Sequence, residues 1–466
     1  MTTPPACDPC RSCGGTTSVR PFLDLGLSPV ANTLVRDAQQ SRELPQFPLV
    51  VGFCESCALV QLTQTSPDIE LFDAEYPYFS SFSDELLRHS KEHVDLLLAE
   101  HSLDERSLVV EVASNDGYLL RGFAGTGVRV VGVEPTPEPA AAARAIGIPT
   151  VEAFFGVQTA EQLVAEHGNA DVVIAKNVMA HVPELNDFVA GLAVLVSDTG
   201  TVEIENPGVR YLVDSTEFDT VYHEHFCYFS TIAVQALLLR HGLHLNDVVV
   251  FPDLHGGTLR WVGSRTPGLT ERAARVLQEE REAGLDSFAY YADFSARVQA
   301  LATDLRRMLE EARAQGARVA AYGAAAKGVT LLSFCGIGDD MIEFVVDRNP
   351  HKIGKFMPGT GIPILPVEAL SERHPDVALV LAWNFATEIV AQQAEFRQQG
   401  GRFLVPIPAP RYVGGEAHVP APSSSTRLFS GDSARVHAVI ASLVVLGSRS
   451  TEVVRWAPHL RAALRG

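Results

Sequence analysis

Apolar positions along the chain fall into three successive patterns. Phe22-Leu23-Asp24-Leu25-Gly26 and Phe47-Pro48-Leu49-Val50-Val51-Gly52-Phe53 are short apolar stretches bounded by polar and turn residues, which predicts short strands in a small β module. From residue 108 the pattern changes to continuous apolar runs at 108–112, 128–133 and 171–178, the mark of strands buried on both faces, with a further strand at 201–207. A helical stretch starting near Glu85 precedes these runs, and another helix is predicted to begin near Tyr118. Residues 270–315 read as helices in which Phe294, Val298, Leu301, Leu305 and Met308 recur at helical spacing as a packing stripe. Strands at 318–322, 344–347 and 377–383 then build a second α/β unit, with a small-residue turn, Gly323-Ala324-Ala325-Ala326-Lys327-Gly328, opening a helix after the first. Beyond Pro410 the chain turns to Gly414-Gly415, Pro420, Pro422 and Ser423-Ser424-Ser425, a flexible linker by composition, before helical periodicity returns at 434–446 and 451–464. The fold class is α/β: a β module over 1–75, an α/β domain over 76–265, a second α/β domain over 266–410, and a linker with a helical tail over 411–466.

Length and charge sharpen this picture. A chain of 466 residues is long enough for roughly three domains, each with its own core. Lys and Arg number 37 against 56 Asp and Glu, a formal net charge of -19 that repels phosphate backbones, so nucleic acid is not an expected partner. No apolar run approaches the ~20 residues that span a bilayer, and no charged-then-apolar signal segment opens the chain, so no membrane is expected as a partner and the protein reads as cytoplasmic with reduced thiols. Five of the seven cysteines lie in the first 57 residues. Cys10-Arg11-Ser12-Cys13 and Cys54-Glu55-Ser56-Cys57 form two C-x-x-C knuckles that can set four thiolates around one structural Zn2+. Cys7 extends the first knuckle; it is read as a free thiol, with replacement of Cys10 or Cys13 as the alternative.

Three stretches carry candidate chemistry. The turn Ala113-Ser114-Asn115-Asp116-Gly117 leaves the carboxyl end of a strand, where doubly wound sheets hold their ligands, and the next strand ends in Glu134, a carboxylate placed to accept the hydroxyls of an adenosine ribose. A dinucleotide fold shares that acid but asks for G-x-G-x-x-G, and one glycine in the turn leaves no pyrophosphate cradle. The turn instead resembles motif I of class I S-adenosylmethionine-dependent methyltransferases, E-x-G-x-x-x-G, with Ala113 at the first glycine; a methyl is tolerated there when φ stays negative. His181, after the run at 171–178, points toward the same crevice, a position that also suits a structural histidine. In Val221-Tyr222-His223-Glu224-His225-Phe226-Cys227-Tyr228-Phe229-Ser230, two imidazoles of ordinary pKa ~6.5, a phenol and a carboxylate sit between aromatics, offering a general base that its neighbours can tune. A loop whose His and Tyr tips satisfy local hydrogen bonds would read the same way. Tyr76-Pro77-Tyr78 interleaves aromatics with nearby hydroxyls, as a sugar or base pocket does or as an interdomain packing segment does. His255-Gly256-Gly257 lets the backbone pass close to a neighbour or ligand, and the turn at Lys327 lets an anion approach a helix start, or fills that start with small residues for packing.

The C-x-x-C pair, Tyr76-Pro77-Tyr78, Ser114-Asn115-Asp116-Gly117-Tyr118, Val133-Glu134-Pro135, Asn177 with His181, and Tyr222-His223-Glu224-His225 occur in one order over residues 6–410. In that order they resemble the deoxysugar C-methyltransferases of antibiotic biosynthesis. The resemblance implies a class I methyltransferase Rossmann-like domain between an N-terminal zinc module and a C-terminal Rossmann-like domain. It implies S-adenosyl-L-methionine as cofactor, structural Zn2+, and a dTDP-linked 4-keto deoxysugar methylated at C3 as substrate, with His225 as the base. A hydrogen beside a ketone leaves only if a base is positioned and the enolate oxygen is stabilised. On that chemistry Tyr222 is the donor to the enolate oxygen, Glu224 orients an imidazole or a sugar hydroxyl, and His181 assists from the cofactor edge. Ser114, Asn115, Asp116, Gly117, Glu134 and Asn177 are then expected at the cofactor, and Tyr76, Tyr78, His255 and Lys327 at the substrate, Lys327 at its nucleotide diphosphate. A monomer is expected. Two other functions fit the same residues: methylation of another atom or an unrelated small ketone, and a zinc-bearing assembly protein without catalysis.

Overall fold

The computed structural model describes residues 7–16, 18–65, 79–254 and 256–414; Tyr76, Tyr78, His255 and the expected tail helices at 434–446 and 451–464 lie outside the described residues. Three sheets organise what is described. The first is antiparallel and runs Val19–Pro29, Gln46–Cys54, Val60–Leu62, Cys227–Tyr228. Its fourth strand comes from the middle of the chain: Val60 pairs with Tyr228 and Gln61 with Cys227. Periodicity cannot reveal a strand of two residues, so this pairing had no signal in the sequence.

At the edge of this sheet Cys10, Cys13, Cys54 and Cys57 bring their sulfurs within 4.8 Å of one another. Cys10 Sγ lies 3.5 Å from Cys57 Sγ and Cys13 Sγ 3.6 Å from Cys54 Sγ, separations that fit a tetrahedral ion with Zn–S bonds of about 2.3 Å. Cys7 stands outside the four and is a free thiol. The apolar face of the module continues into the helices behind it: Phe22 and Phe53 pack their rings 5.0 and 4.9 Å from Tyr291. The stripe on the helix Phe294–Ala314 closes this core, with Phe294, Val298, Leu301 and Leu305 buried and Met308 partly so.

The second sheet has seven strands in the order His244–Phe251, Thr258–Ser264, Val196–Pro207, Ala170–Lys176, Leu108–Val112, Arg129–Val133, Thr150–Val151. The last five are parallel and the first two form an antiparallel hairpin on their edge. Every residue of Leu108–Val112 is buried, as its continuous apolar run requires. The strand order reverses beside it, so its carboxyl-end turn opens at the switch point of the sheet. The helix expected from Tyr118 is only a 3-10 segment, Leu120–Phe123. Gly122 lies inside that segment, and Gly125 and Gly127 follow it with φ of +79° and +86°, left-handed values that an α-helix cannot carry on through. The condition for tolerating a methyl at Ala113, a negative φ, is not met: it sits at +55°, in the left-handed region, so the turn keeps the glycine conformation at an alanine.

The third sheet runs Ile364–Pro366, Val345–Asp347, Val319–Tyr322, Val377–Val380, Arg402–Val405, Arg411–Val413, parallel except for its last strand. The helix Ala326–Cys335 leaves Val319–Tyr322 through Gly323, whose φ of +91° and close approach to Ala382 suit only glycine.

A charged network is buried where the helix Asp84–Glu100 crosses Val196–Pro207. His89 Nε2 lies 2.8 Å from Glu205 Oε1 and His93 Nε2 2.6 Å from Glu203 Oε2. Arg260 Nη2 lies 2.9 Å from Glu205 Oε2 and Lys176 Nζ 3.4 Å from Glu205 Oε1. Burial pushes Glu205 up, but Lys176, His89 and Arg260 together hold it well below the usual carboxylate range. Glu205→Gln leaves two buried cations without their anion; the expected cost is about 3–5 kcal/mol, read from the midpoint of urea unfolding, and an unchanged midpoint refutes the account. The sulfur cluster predicts one zinc per chain by metal analysis of the native protein. Cys54→Ser combined with Cys57→Ser is expected to abolish zinc binding, and zinc retained by that variant excludes the four-cysteine site.

Candidate active site

One cavity of ≈ 1130 Å³ is lined from all three sheets. The seven-stranded sheet contributes Ala113, Asn115, Glu134, Asn177, His181 and Asn206; the segment after it contributes Glu217, Tyr222, Glu224 and His225; the third sheet's side contributes Lys327, Lys352 and Asn384; the β module contributes Asn32.

The cofactor turn is held from two directions. Asn115 N–H donates to Glu134 Oε2 at 2.9 Å, and Thr136 N–H donates to Glu134 Oε1 at 2.9 Å, joined there by the Thr136 hydroxyl. Three of the roughly four acceptor positions of this carboxylate are thereby used, which leaves room on Oε2 for one ligand hydroxyl rather than two. Burial raises the Glu134 carboxyl, and the bonds from Thr136 and Asn115 pull against it. Ser80 N–H donates to Asn115 Oδ1 at 2.8 Å and Ser81 N–H to Asp116 Oδ2 at 3.3 Å, so the side chains of Asn115 and Asp116 anchor the segment before the helix Asp84–Glu100. Ser114 packs against Gly132, where a Cβ would meet its Oγ at 2.3 Å. Of the expected cofactor residues, Asn115, Glu134 and Asn177 line the cavity, while Ser114, Asp116 and Gly117 stand behind its wall. Asn177 and Asn206 each leave a buried Oδ1 without a partner among the described residues, and both line the cavity, where each can accept a hydrogen bond from a ligand.

The polar run resolves into distinct partners. Tyr222 Oη lies 2.8 Å from His225 Nε2, and His225 Nδ1 lies 2.8 Å from Thr220 O. A carbonyl only accepts, so Nδ1 carries the proton of the neutral ring and Nε2 presents its lone pair to the tyrosine hydroxyl. The His181 and His225 ring centroids are 4.6 Å apart. Burial pushes His181 down to about 4, and burial together with His181 pushes His225 well below the ordinary imidazole value, so both rings are neutral at pH 7. His223 turns to the β module, its Nε2 3.3 Å from Phe47 O. Among the described residues the Glu224 carboxylate accepts from Asn32, whose Nδ2 lies 2.8 Å from each of its oxygens, and not from an imidazole.

Lys327 is also inside. Its Nζ donates to Asn384 Oδ1 at 3.0 Å and lies 4.2 Å from the Trp383 ring centroid, while Trp383 Nε1 donates to Asp219 Oδ2 at 2.6 Å. Burial pushes Lys327 down, Glu217 up to about 8 and Asp219 up to about 6, and each is partly restored by the opposite charge nearby. Asn32, Glu217, Lys352 and Asn384 were missed in the sequence. Glu217 and Asp219 had a signal, two acids just upstream of Tyr222, whereas Asn32, a single amide in a turn, and Asn384, one in the 3-10 segment Trp383–Phe385, had none.

Residues 10–72 match a family model described as "Putative zinc binding domain", residues 84–248 one described as "Methyltransferase domain", and residues 253–408 one described as "C-methyltransferase C-terminal domain". The C-methyltransferase NovU of Streptomyces niveus is 35% identical over 416 residues, covering 88% of this chain and 98% of that protein. An uncharacterized methyltransferase of Mycobacterium leprae is 31% identical over 125 residues, 26% of this chain and 46% of its own length. Among solved structures, magnesium protoporphyrin IX methyltransferase of Synechocystis PCC 6803 with bound SAM is 16% identical, with 39% of this chain and 79% of that one covered and a TM-score of 0.31. The full-length match to NovU, with the four-sulfur cluster and the switch-point turn in place, shows that this chain belongs to the C-methyltransferase family and is a zinc-binding, S-adenosylmethionine-dependent methyltransferase.

Proposed function

We propose that the protein removes a proton from C3 of a dTDP-linked 4-keto-6-deoxyhexose and methylates the resulting enolate at that carbon. The observation that carries this reading is the Tyr222–His225 pair, a hydroxyl and an unprotonated ring nitrogen 2.8 Å apart with the ring's other nitrogen tied to Thr220 O. A ketone and the C–H beside it present an oxygen and a hydrogen on adjacent carbons, so a donor and a base set side by side address both. His225 Nε2 takes the proton as the C–H bond breaks, and the Tyr222 hydroxyl turns from Nε2 to the oxygen on which charge develops. Bound against Asn115, Glu134 and Asn177, S-adenosylmethionine supplies an electrophilic methyl group. His181 assists from the cofactor edge as a second neutral imidazole. Glu224 is placed to orient a sugar hydroxyl. Lys327 and Lys352 set two amino groups on one side of the cavity, which supports a substrate bearing a diphosphate. The match to a C-methyltransferase over nearly its whole length supports carbon as the atom methylated.

Two measurements test the reading. Calorimetric titration of Glu134→Ala with S-adenosylmethionine should show affinity reduced roughly tenfold or more, because a hydrogen bond to a charged group is worth about 1.5–3 kcal/mol; unchanged affinity removes the ribose from Glu134. In deuterated buffer, wild-type enzyme should exchange the C3 hydrogen of the keto sugar and methylate it. His225→Asn should lose both reactions while still binding substrate and cofactor, and Tyr222→Phe should slow both by about 10² to 10³. Near-normal exchange and methylation in His225→Asn would place the base elsewhere, with His181 next in line.

A further inference from the structure

Glu224 is 1% exposed, and among the described residues its carboxylate oxygens are held by one residue from a distant part of the chain, Asn32, through its side-chain Nδ2 at 2.8 Å from each oxygen and through its main chain. Both residues line the cavity. Asn32 is itself fixed on either side. It follows the strand Val19–Pro29, its carbonyl accepts from Leu34 N–H at 2.9 Å, and Val35 then pairs with Phe356 of the C-terminal domain. Ser41 Oγ donates to Met357 O at 2.6 Å and fastens the same segment further along. The amide is therefore presented by a backbone clamped between two domains, and it meets a carboxylate whose burial would otherwise favour the protonated form.

We propose that Asn32 is a positioning residue of the active site: the zinc module lends this amide to hold the Glu224 carboxylate against the cavity as a hydrogen-bond acceptor for a substrate hydroxyl. The inference rests on the reading of Glu224 as a group that works on the substrate. Its chemical content is a choice of polarity. An ionised Glu224 only accepts, whereas a protonated one also donates, and a sugar hydroxyl would bind the two in different orientations. Burial pushes the Glu224 carboxyl up to about 7; the Asn32 side chain and main chain, and then the Lys352 charge, pull it back. The other titratable groups around Glu224 are His181, whose ring bonds the Glu224 main chain, and His223 and His225 on its own loop. The zinc module is on this account one wall of the reaction chamber.

Two variants of the full chain test it. Asn32→Asp keeps the size and turns the donor into an acceptor; Asn32→Leu removes the polar group. Zinc content and S-adenosylmethionine affinity, each expected within about twofold of wild type, establish that the module and the cofactor site are intact. The protonation midpoint of Glu224 is read without substrate from its carboxyl infrared band, taken as the difference against Glu224→Gln. It should rise by about one to two units in both variants, the shift produced by losing one hydrogen bond to a charged group. The acid limb of kcat/KM for methyl transfer should move to higher pH by the same amount, a loss of about tenfold or more at neutral pH that recovers in alkaline buffer. An unmoved midpoint overturns the proposal, and so does a loss of kcat/KM by one factor at every pH, which a merely structural contact would give. Glu224→Gln separates this proposal from the reading beneath it. Wild-type methyl transfer in that variant removes Glu224 from the reaction and Asn32's role with it, whereas loss there with an unmoved midpoint in Asn32→Asp overturns the positioning alone.

Discussion

A polar loop can be buried only where its main-chain groups find partners, and the segment from Glu217 to Phe229 finds them in every part of the molecule. Its end adds a strand to the β module through Cys227 and Tyr228, and Leu62 N–H donates to Phe226 O at 2.9 Å. Phe226 N–H donates to Ala180 O at 2.7 Å on the methyltransferase side. Thr330 Oγ donates to Val221 O at 2.8 Å, and Trp383 Nε1 to the Asp219 carboxylate, both from the C-terminal domain. Each such bond left unmade in a buried site costs about 1–3 kcal/mol, so the three parts have to dock for the loop to bury. The Tyr222–His225 pair therefore exists only in the assembled chain.

The same burial sets the protonation of the site. Desolvation disfavours charge whatever its sign, so it pushes His181 and His225 down and Glu217, Asp219 and Glu224 up. Both imidazoles are consequently unprotonated at neutral pH, and the acids lie close enough to neutrality for single hydrogen bonds to decide their state. Behind the cavity wall the molecule solves the same problem differently. Glu205 stays ionised because two cations and a histidine surround it, one of the cations, Lys176, itself lining the cavity.

The cofactor wall carries its own strain. Ala113, Asn115 and Asn177 all have φ between +50° and +55°, a region that costs a non-glycine residue of order 1 kcal/mol or more. Glu134 offsets this by tying down the Asn115 and Thr136 amides, and a parallel device recurs in the C-terminal domain, where Asp347 accepts from Ala324 N–H at 2.7 Å and Asn349 N–H at 2.8 Å. In both domains an acid at the end of the second strand holds the turn that leaves the first.

How far the amino-acid order reached follows from the range of each interaction. The zinc ligands were legible because each knuckle is a local turn whose two sulfurs are paired by spacing alone, and the buried strands because apolar runs record their own environment. Glu134 was legible because its distance from the turn is set by one strand–turn–strand unit. Hydrogen bonds between residues far apart in the chain left no trace. Glu224 looked able to orient an imidazole, yet its partner is an asparagine 192 positions away. Asp116 and Ser114 matched a motif but turned out to pack the wall, because side-chain direction in a left-handed turn depends on dihedral angles that residue types do not encode. Residue order by itself determined the chemistry available to this protein, its thiols, its imidazoles and its acids. Only the tertiary structure decided which of them share a cavity, because desolvation and long-range hydrogen bonding act between surfaces that meet when the three parts dock.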